Sequence, residues 1–187
     1  MGLVELILKR SKRSYSMVQK LVATIVGPAI FVFLIPWGLI ALAGILEHSL
    51  SIPRFNFELA NEIIGAILIV GGLGFAGWTV LTQFFIGKGT PVPIVPTQKF
   101  IVSGPYKFCR NPMVMGWIAY CFGLSVWLGS LVMVVLTFIV WGLGAIYVKS
   151  VEEKELELRF GEDYKKYRDE MPMFIPRIRS KGLAPNK

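Results

Sequence analysis

From Pro112 to Val148 the chain carries no charged residue. A single helix of that length would be about 55 Å long at about 1.5 Å per residue, nearly twice the ~30 Å hydrocarbon core of a bilayer. The stretch therefore predicts two helices folded back on each other. The break falls near Trp127-Leu128-Gly129-Ser130, dividing the run into spans over 112–128 and 129–148. Each arm is at the short end of what can cross a membrane.

Two more uncharged runs precede this hairpin, at 21–46 and 63–86. The first contains Pro28 and Pro36, which are candidate kinks. It is longer than the ~7–15 apolar residues of a signal-peptide core, and no small-residue cleavage site follows it, so it reads as a transmembrane helix. The second holds Gly65, Gly71, Gly72, Gly74 and Gly77, which let a neighbouring helix approach closely. Composition agrees. Of 187 residues 54% are hydrophobic and 17% charged, with a mean hydropathy of +0.60, where a soluble domain has about 25% charged residues. The expected fold is an all-α integral membrane protein, one membrane domain over 1–187. It has about four transmembrane helices, including a short C-terminal helical hairpin, and a cytosolic amphipathic C-terminal helix.

The net charge is +8. With four spans, the basic segment 1–20, the loop 87–111 and the tail 149–187 share one side, and the acidic connection from Glu47 to Glu62 takes the other. The positive-inside rule then puts both termini in the cytosol. No aromatic–basic interleaving suggests nucleic acid. His48 is the only histidine, and Cys109 and Cys121 have no metal-type spacing, so no metal is expected.

Two of the cytosolic segments have structure of their own. The loop holds Pro91, Pro93, Pro96 and Pro105 and cannot be a regular helix. In the tail, Leu156, Phe160, Tyr164 and Tyr167 line one helical face. Glu155 with Arg159 and Glu162 with Lys166 form acid-first pairs, Gly161 interrupts, and Met171-Pro172 ends the helix. Glu152 lies four residues before Leu156 and shares its face, whereas Glu153 is rotated by about 100° toward water. An acid on the buried face either snorkels and pairs with Lys149 or accepts hydrogen bonds from a bound polar ligand. A carboxylate suits the two adjacent hydroxyls of a ribose.

"GTPVPIVPTQKFIVSGPYKFCRNPMVMGW" together with "VEEKELELRFGEDYKKYRDEMPMFIP" resembles the isoprenylcysteine carboxyl methyltransferase family, which groups with the small membrane phospholipid methyltransferases. The resemblance implies S-adenosyl-L-methionine as cofactor, bound at the cytosolic membrane face under the C-terminal segment. It implies a strand-like cofactor-binding piece at Gln98, Lys99, Phe100 and Ile101, followed by Tyr106. The family's Arg-His-Pro-x-Tyr motif falls on Arg110, Asn111, Pro112, Met113 and Val114, and the first glutamate of its tail motif is Glu152. Asn111 departs from the histidine and Val114 from the tyrosine. A basic residue that helps hold substrate in some relatives falls at Val148, which leaves the neighbouring Lys149 as the candidate.

Methyl transfer from a sulfonium is an in-line displacement that needs alignment and exclusion of water more than an acid or base. A carboxylate acceptor is ionised at neutral pH. Arg110 is the candidate catalytic residue and, with Lys149, the substrate-orienting one; an interfacial anchor on lipid phosphate is its plainer reading. Tyr106 could equally be an interface aromatic. The function expected is a membrane O-methyltransferase acting on a lipid-embedded acceptor, the carboxylate of an isoprenylcysteine-like or other hydrophobic acid. The alternatives are a phospholipid amine methyltransferase, an NADPH-dependent sterol or isoprenoid reductase-like protein, and a non-enzymatic lipid-binding protein.

Overall fold

The structure, a computed structural model, describes residues 3–13, 15–90 and 95–175. Residues 91–94 of the proline-rich loop and 176–187 of the tail lie outside the described residues. Among those described, every regular element is helical. Three helices are long and apolar enough to cross a membrane, at Met17–Leu50, Leu59–Phe85 and Leu131–Glu170, and a shorter apolar helix covers Pro112–Trp127. The third is apolar only as far as Val148; from Lys149 onward it is charged and lies outside the membrane-spanning part.

A short helix, α1 (Leu3–Ser11), comes first. The first long helix then starts at a capping box: the Ser16 side chain accepts from the Gln19 amide, and the Gln19 side chain accepts from the Ser16 amide. It runs as α2 (Met17–Ala29), a π-helical turn (Ile30–Leu34) and α3 (Ile35–Leu50). The turn has a chemical cause. Pro36 has no N–H to offer the carbonyl of Val32, and the Ile35 amide reaches back to Ile30 instead of Phe31. Two carbonyls are thus left open inside an apolar segment. Trp117 Nε1 donates to the Phe31 oxygen at 2.6 Å, and the Tyr120 hydroxyl donates to the Val32 oxygen at 2.9 Å.

The tightest helix pair is α4 (Leu59–Phe85) with α5 (Pro112–Trp127). A Cβ on Gly72 would lie 2.5 Å from the Gly116 oxygen, and one on Gly116 would lie 2.6 Å from the Gly72 oxygen. Gly65 faces Gly123 in the same way. The expectation of five packing glycines is corrected to two: nothing lies within 4 Å of a Cβ on Gly71, Gly74 or Gly77. These three sit on the other faces of the helix, where no backbone approaches.

The hairpin turns over Leu128–Ser130, with Gly129 at φ +62°. Ser130 caps α6 (Leu131–Tyr147) by accepting from the Met133 amide at 2.9 Å, and its hydroxyl donates to buried Glu47. Glu47 also accepts from Arg54 Nε at 2.8 Å. At its other end α6 passes through a second π-helical turn (Val148–Glu152) into α7 (Glu153–Glu170). Gly161, at φ +55°, kinks α7, and Met171 is extended beyond it. Glu162 pairs with Lys165, three residues on, at 2.7 Å rather than with Lys166.

The strand-like piece at Gln98–Ile101 is also corrected. Gln98 and Lys99 both donate their amides to the Gly87 oxygen, at 2.6 and 3.1 Å, so the backbone closes a loop and forms no ladder. The prolines around it deprive a sheet partner of donors.

Candidate functional site

The loop between α4 and α5 and the charged helix α7 close on each other at one end of the bundle. Gly104, at φ +61°, begins a tight turn over Gly104–Lys107 against Thr82 and Trp78. The turn aims Tyr106 inward. Gln83 Nε2 donates to the Tyr106 hydroxyl oxygen at 2.7 Å, and the Tyr167 hydroxyl donates to the Tyr106 carbonyl at 2.7 Å. Burial pushes both phenols well above the ordinary tyrosine range.

The apolar face of α7 supplies the cover. Tyr164, Tyr167 and Met171 are buried against Phe100, Val102, Tyr106, Leu156 and Phe160. Phe100 stacks on Phe160 at 5.1 Å and meets Tyr167 edge-on at 5.5 Å. The segment after α7 is clasped by backbone: Arg110 N donates to the Pro172 oxygen at 2.9 Å and Asn111 N to the Met173 oxygen at 3.2 Å. The Asn111 side-chain amide adds a bond to the same Met173 oxygen at 3.1 Å. An asparagine here holds the tail down with a neutral amide.

These elements enclose a cavity of about 160 Å³. Of the residues singled out in the sequence, Lys99, Phe100, Ile101, Tyr106, Arg110, Asn111, Pro112, Met113, Val114 and Glu152 line it. Gln98 does not; it is exposed, and its side-chain amide donates to the Pro96 oxygen at 2.9 Å. Lys149 does not either, because the π-helical turn leaves it exposed outside the cavity. Sequence reasoning missed Ile7, Gln83 and Tyr147 as lining residues. Gln83, a lone amide at the end of an apolar span, was a readable signal; Ile7 had none.

The charges are unequally matched. Glu155 pairs with Arg159 at 2.6 Å, and Arg159 also donates to the Thr97 carbonyl and lies 4.7 Å over the Phe160 ring. Arg110 pairs with Glu153. Glu153 is therefore not in water, as its helical phase suggested: Arg110 reaches it from the loop before α5, and it lines the cavity beside Glu152. Arg110, the candidate for orienting an anionic substrate group, thus lines the cavity already paired through one nitrogen.

Glu152 has no such partner. Burial first, then the nearby charges of Glu155 and Glu153, raise its carboxyl to about 7, and nothing lowers it. The Arg110 Nε and the Gln83 Oε1 are likewise buried without a hydrogen-bond partner. A carboxylate, a guanidinium N–H and an amide oxygen, all unanswered around one cavity, fit a polar ligand bearing hydroxyl and charged groups. The lining thus suits the cofactor that the resemblance implies.

Comparison with known proteins is consistent with this geometry. The family model for phospholipid methyltransferase matches residues 60–163. The protein-S-isoprenylcysteine O-methyltransferase of Mus musculus is 33% identical over 86 residues, 44% of this chain and 29% of that protein. The methanethiol S-methyltransferase of Crocosphaera subtropica is 33% identical over 157 residues, 72% of this chain and 55% of that protein. The Xenopus laevis protein-S-isoprenylcysteine O-methyltransferase is 31% identical over 92 residues, 48% of this chain and 31% of that protein. The chain thus spans between 29% and 55% of the length of these curated relatives.

Proposed function

Because the chain belongs to the phospholipid methyltransferase family, we propose that it is a membrane methyltransferase that uses S-adenosyl-L-methionine and methylates a lipophilic acceptor. The observation that carries this reading is Glu152, a carboxylate in the cavity wall with no cation beside it. When bound, S-adenosyl-L-methionine supplies a methyl group on a sulfonium. Glu152 would accept hydrogen bonds from its ribose hydroxyls, and Lys99, at the exposed rim, would meet its carboxylate. The aromatic face of α7 would keep water out, which sharpens the alignment an in-line transfer requires.

The acceptor side is apolar. Met113 and Val114 at the start of α5 and Tyr147 and Val148 at the end of α6 line the cavity next to the membrane part of the bundle. A greasy acceptor would reach the site between these two helices. In this reading both termini lie in the cytosol. Support comes from the bases of 1–20 and of the loop on the site's side, and from the acidic connection at the opposite end.

Two acceptor classes are compatible with the relatives' names. The carboxylate of an isoprenylcysteine-like acid was the expectation from sequence. A second reading, a thiol, is favoured by the methanethiol S-methyltransferase relative, which this chain matches over 72% of its length; the sulfur would have to give up its proton as its bond to the methyl group forms and the methyl–sulfonium bond breaks.

Calorimetry on detergent-purified protein tests the cofactor, with S-adenosyl-L-methionine, NADPH and Glu152→Ala side by side. Binding of S-adenosyl-L-methionine that is lost in Glu152→Ala supports the proposal. Binding of NADPH alone would make the protein reductase-like, and binding of neither would leave a lipid-binding role. Transfer of labelled methyl to an isoprenylcysteine acid, a long-chain thiol or a phospholipid amine then decides the acceptor.

A further inference from the structure

The family match begins at residue 60, so α1 stands outside it. Yet α1 is part of the site. Ile7 is buried and lines the cavity, and α1 packs on α7 and on the π-helical turn that carries Glu152. Among the described side chains of α1, Ile7 is the only buried one.

A nine-residue helix is not stable alone in water, and one buried side chain is a small anchor. The half-buried Val4, Leu6 and Leu8 add to it, and the exposed basic end of the helix offers a further anchor. Lys9, Lys12 and Arg13 are exposed around its C-terminal end, where cations also complement the helix dipole. The chain then enters the apolar helix at Met17, with Met17, Val18, Leu21 and Val22 exposed to the bilayer side. The basic cluster therefore sits within a few residues of the membrane surface. A basic amphipathic helix so tethered matches the negative charge of a leaflet rich in anionic lipid.

We propose that anionic headgroups of the bilayer engage Lys9, Lys12 and Arg13 and thereby seat α1 on the cavity, with Ile7 as its wall. The partner is the bilayer surface itself, and its lipid composition sets how firmly the cavity is closed. The inference rests on the proposed cofactor site only for its second readout.

The first readout needs no cofactor. Ile7→Cys protein is reconstituted in nanodiscs of phosphatidylcholine, with or without about one third phosphatidylglycerol, and the rate of modification by a membrane-impermeant maleimide is measured. The native Cys109 and Cys121 are both buried. We expect modification about fivefold slower with phosphatidylglycerol, and no lipid difference once Lys9→Gln, Lys12→Gln and Arg13→Gln are added. Leu6→Cys, at a half-buried position, repeats the test in case Ile7→Cys itself releases the helix. Equal rates in the two lipids for both cysteines, or a lipid effect that survives charge removal, overturns the proposal. The second readout is dissociation of S-adenosyl-L-methionine, expected to be faster in phosphatidylcholine alone. A labelling difference without any cofactor binding would uphold the role of α1 and sink the cofactor reading instead.

Discussion

Among the described residues there are two π-helical turns, and they end very differently. The one at Ile30–Leu34 follows from Pro36, and the carbonyls it opens are answered by Trp117 and Tyr120. Nothing is left over, and the turn is part of the architecture. The one at Val148–Glu152 has no proline behind it. It ends at Glu152, which lines the cavity unpaired beside Glu153, itself paired with Arg110. A break in a helix that seals itself supports a bundle. A break that leaves a carboxyl unanswered is where we propose that a ligand binds.

The largest effect expected from breaking this contrast lies at the ion pair next to the second turn. Arg110 and Glu153 are 13% and 12% exposed. Arg110→Ala leaves Glu153 buried without its cation, a change worth about 3–5 kcal/mol. Thermal unfolding in detergent should show it as a large fall in midpoint, and an unchanged midpoint would mean that Glu153 finds water. Next in size is Glu152→Ala. Hydrogen bonds to a charged group contribute about 1.5–3 kcal/mol, so S-adenosyl-L-methionine should bind about 10- to 150-fold more weakly, by calorimetry. Stability should not fall with it, since no partner is orphaned.

The acidity of Glu152 gives a smaller, signed effect. Its folded-state value of about 7 lies above the ordinary carboxyl range. Its contribution to stability is therefore fully present below the unfolded value near 4.5 and is lost as pH rises through 7. Without ligand, Glu152→Gln should gain stability relative to the native protein between about pH 5 and pH 8, read as a growing difference in melting temperature. A ligand held by the ionised carboxylate reverses the preference. Affinity for S-adenosyl-L-methionine should drop by up to about tenfold per unit as pH falls below 7. A pH-independent dissociation constant would remove Glu152 from the binding groups.

Much of this was legible in the sequence. The uncharged run from Pro112 to Val148, with Gly129 at its turn, specified a hairpin, because hydrophobic length and a left-handed glycine are local properties. The stripe Leu156, Phe160, Tyr164 and Tyr167 gave the face that covers the site, and Glu152 stood out on it. Illegible were the features that depend on backbone register across elements. Helical phase says nothing of a cation reaching in from a distant loop, so Glu153 was read as solvated, and Lys149 was offered as a substrate contact only as the neighbour of Val148. Which glycines of α4 meet α5 depends on the crossing, and all five have equal standing in sequence. Ile7 reaches the cavity through docking of α1, and no short-range pattern encodes that.

The first turn supplies the smallest and cleanest prediction. Tyr120→Phe removes the donor to the Val32 carbonyl and should cost about 1 kcal/mol, with cofactor affinity unchanged because the site is untouched. The cause assigned to the turn makes a sharper demand. If the Tyr120 hydroxyl replaces the N–H that Pro36 lacks, Pro36→Ala restores a competing donor for the same carbonyl. Tyr120→Phe should then cost less in the Pro36→Ala background than in the native one, with a coupling of at least about 0.5 kcal/mol in a double-mutant cycle. Strictly additive costs would separate the hydroxyl from the proline, and the π-helical turn would need another origin.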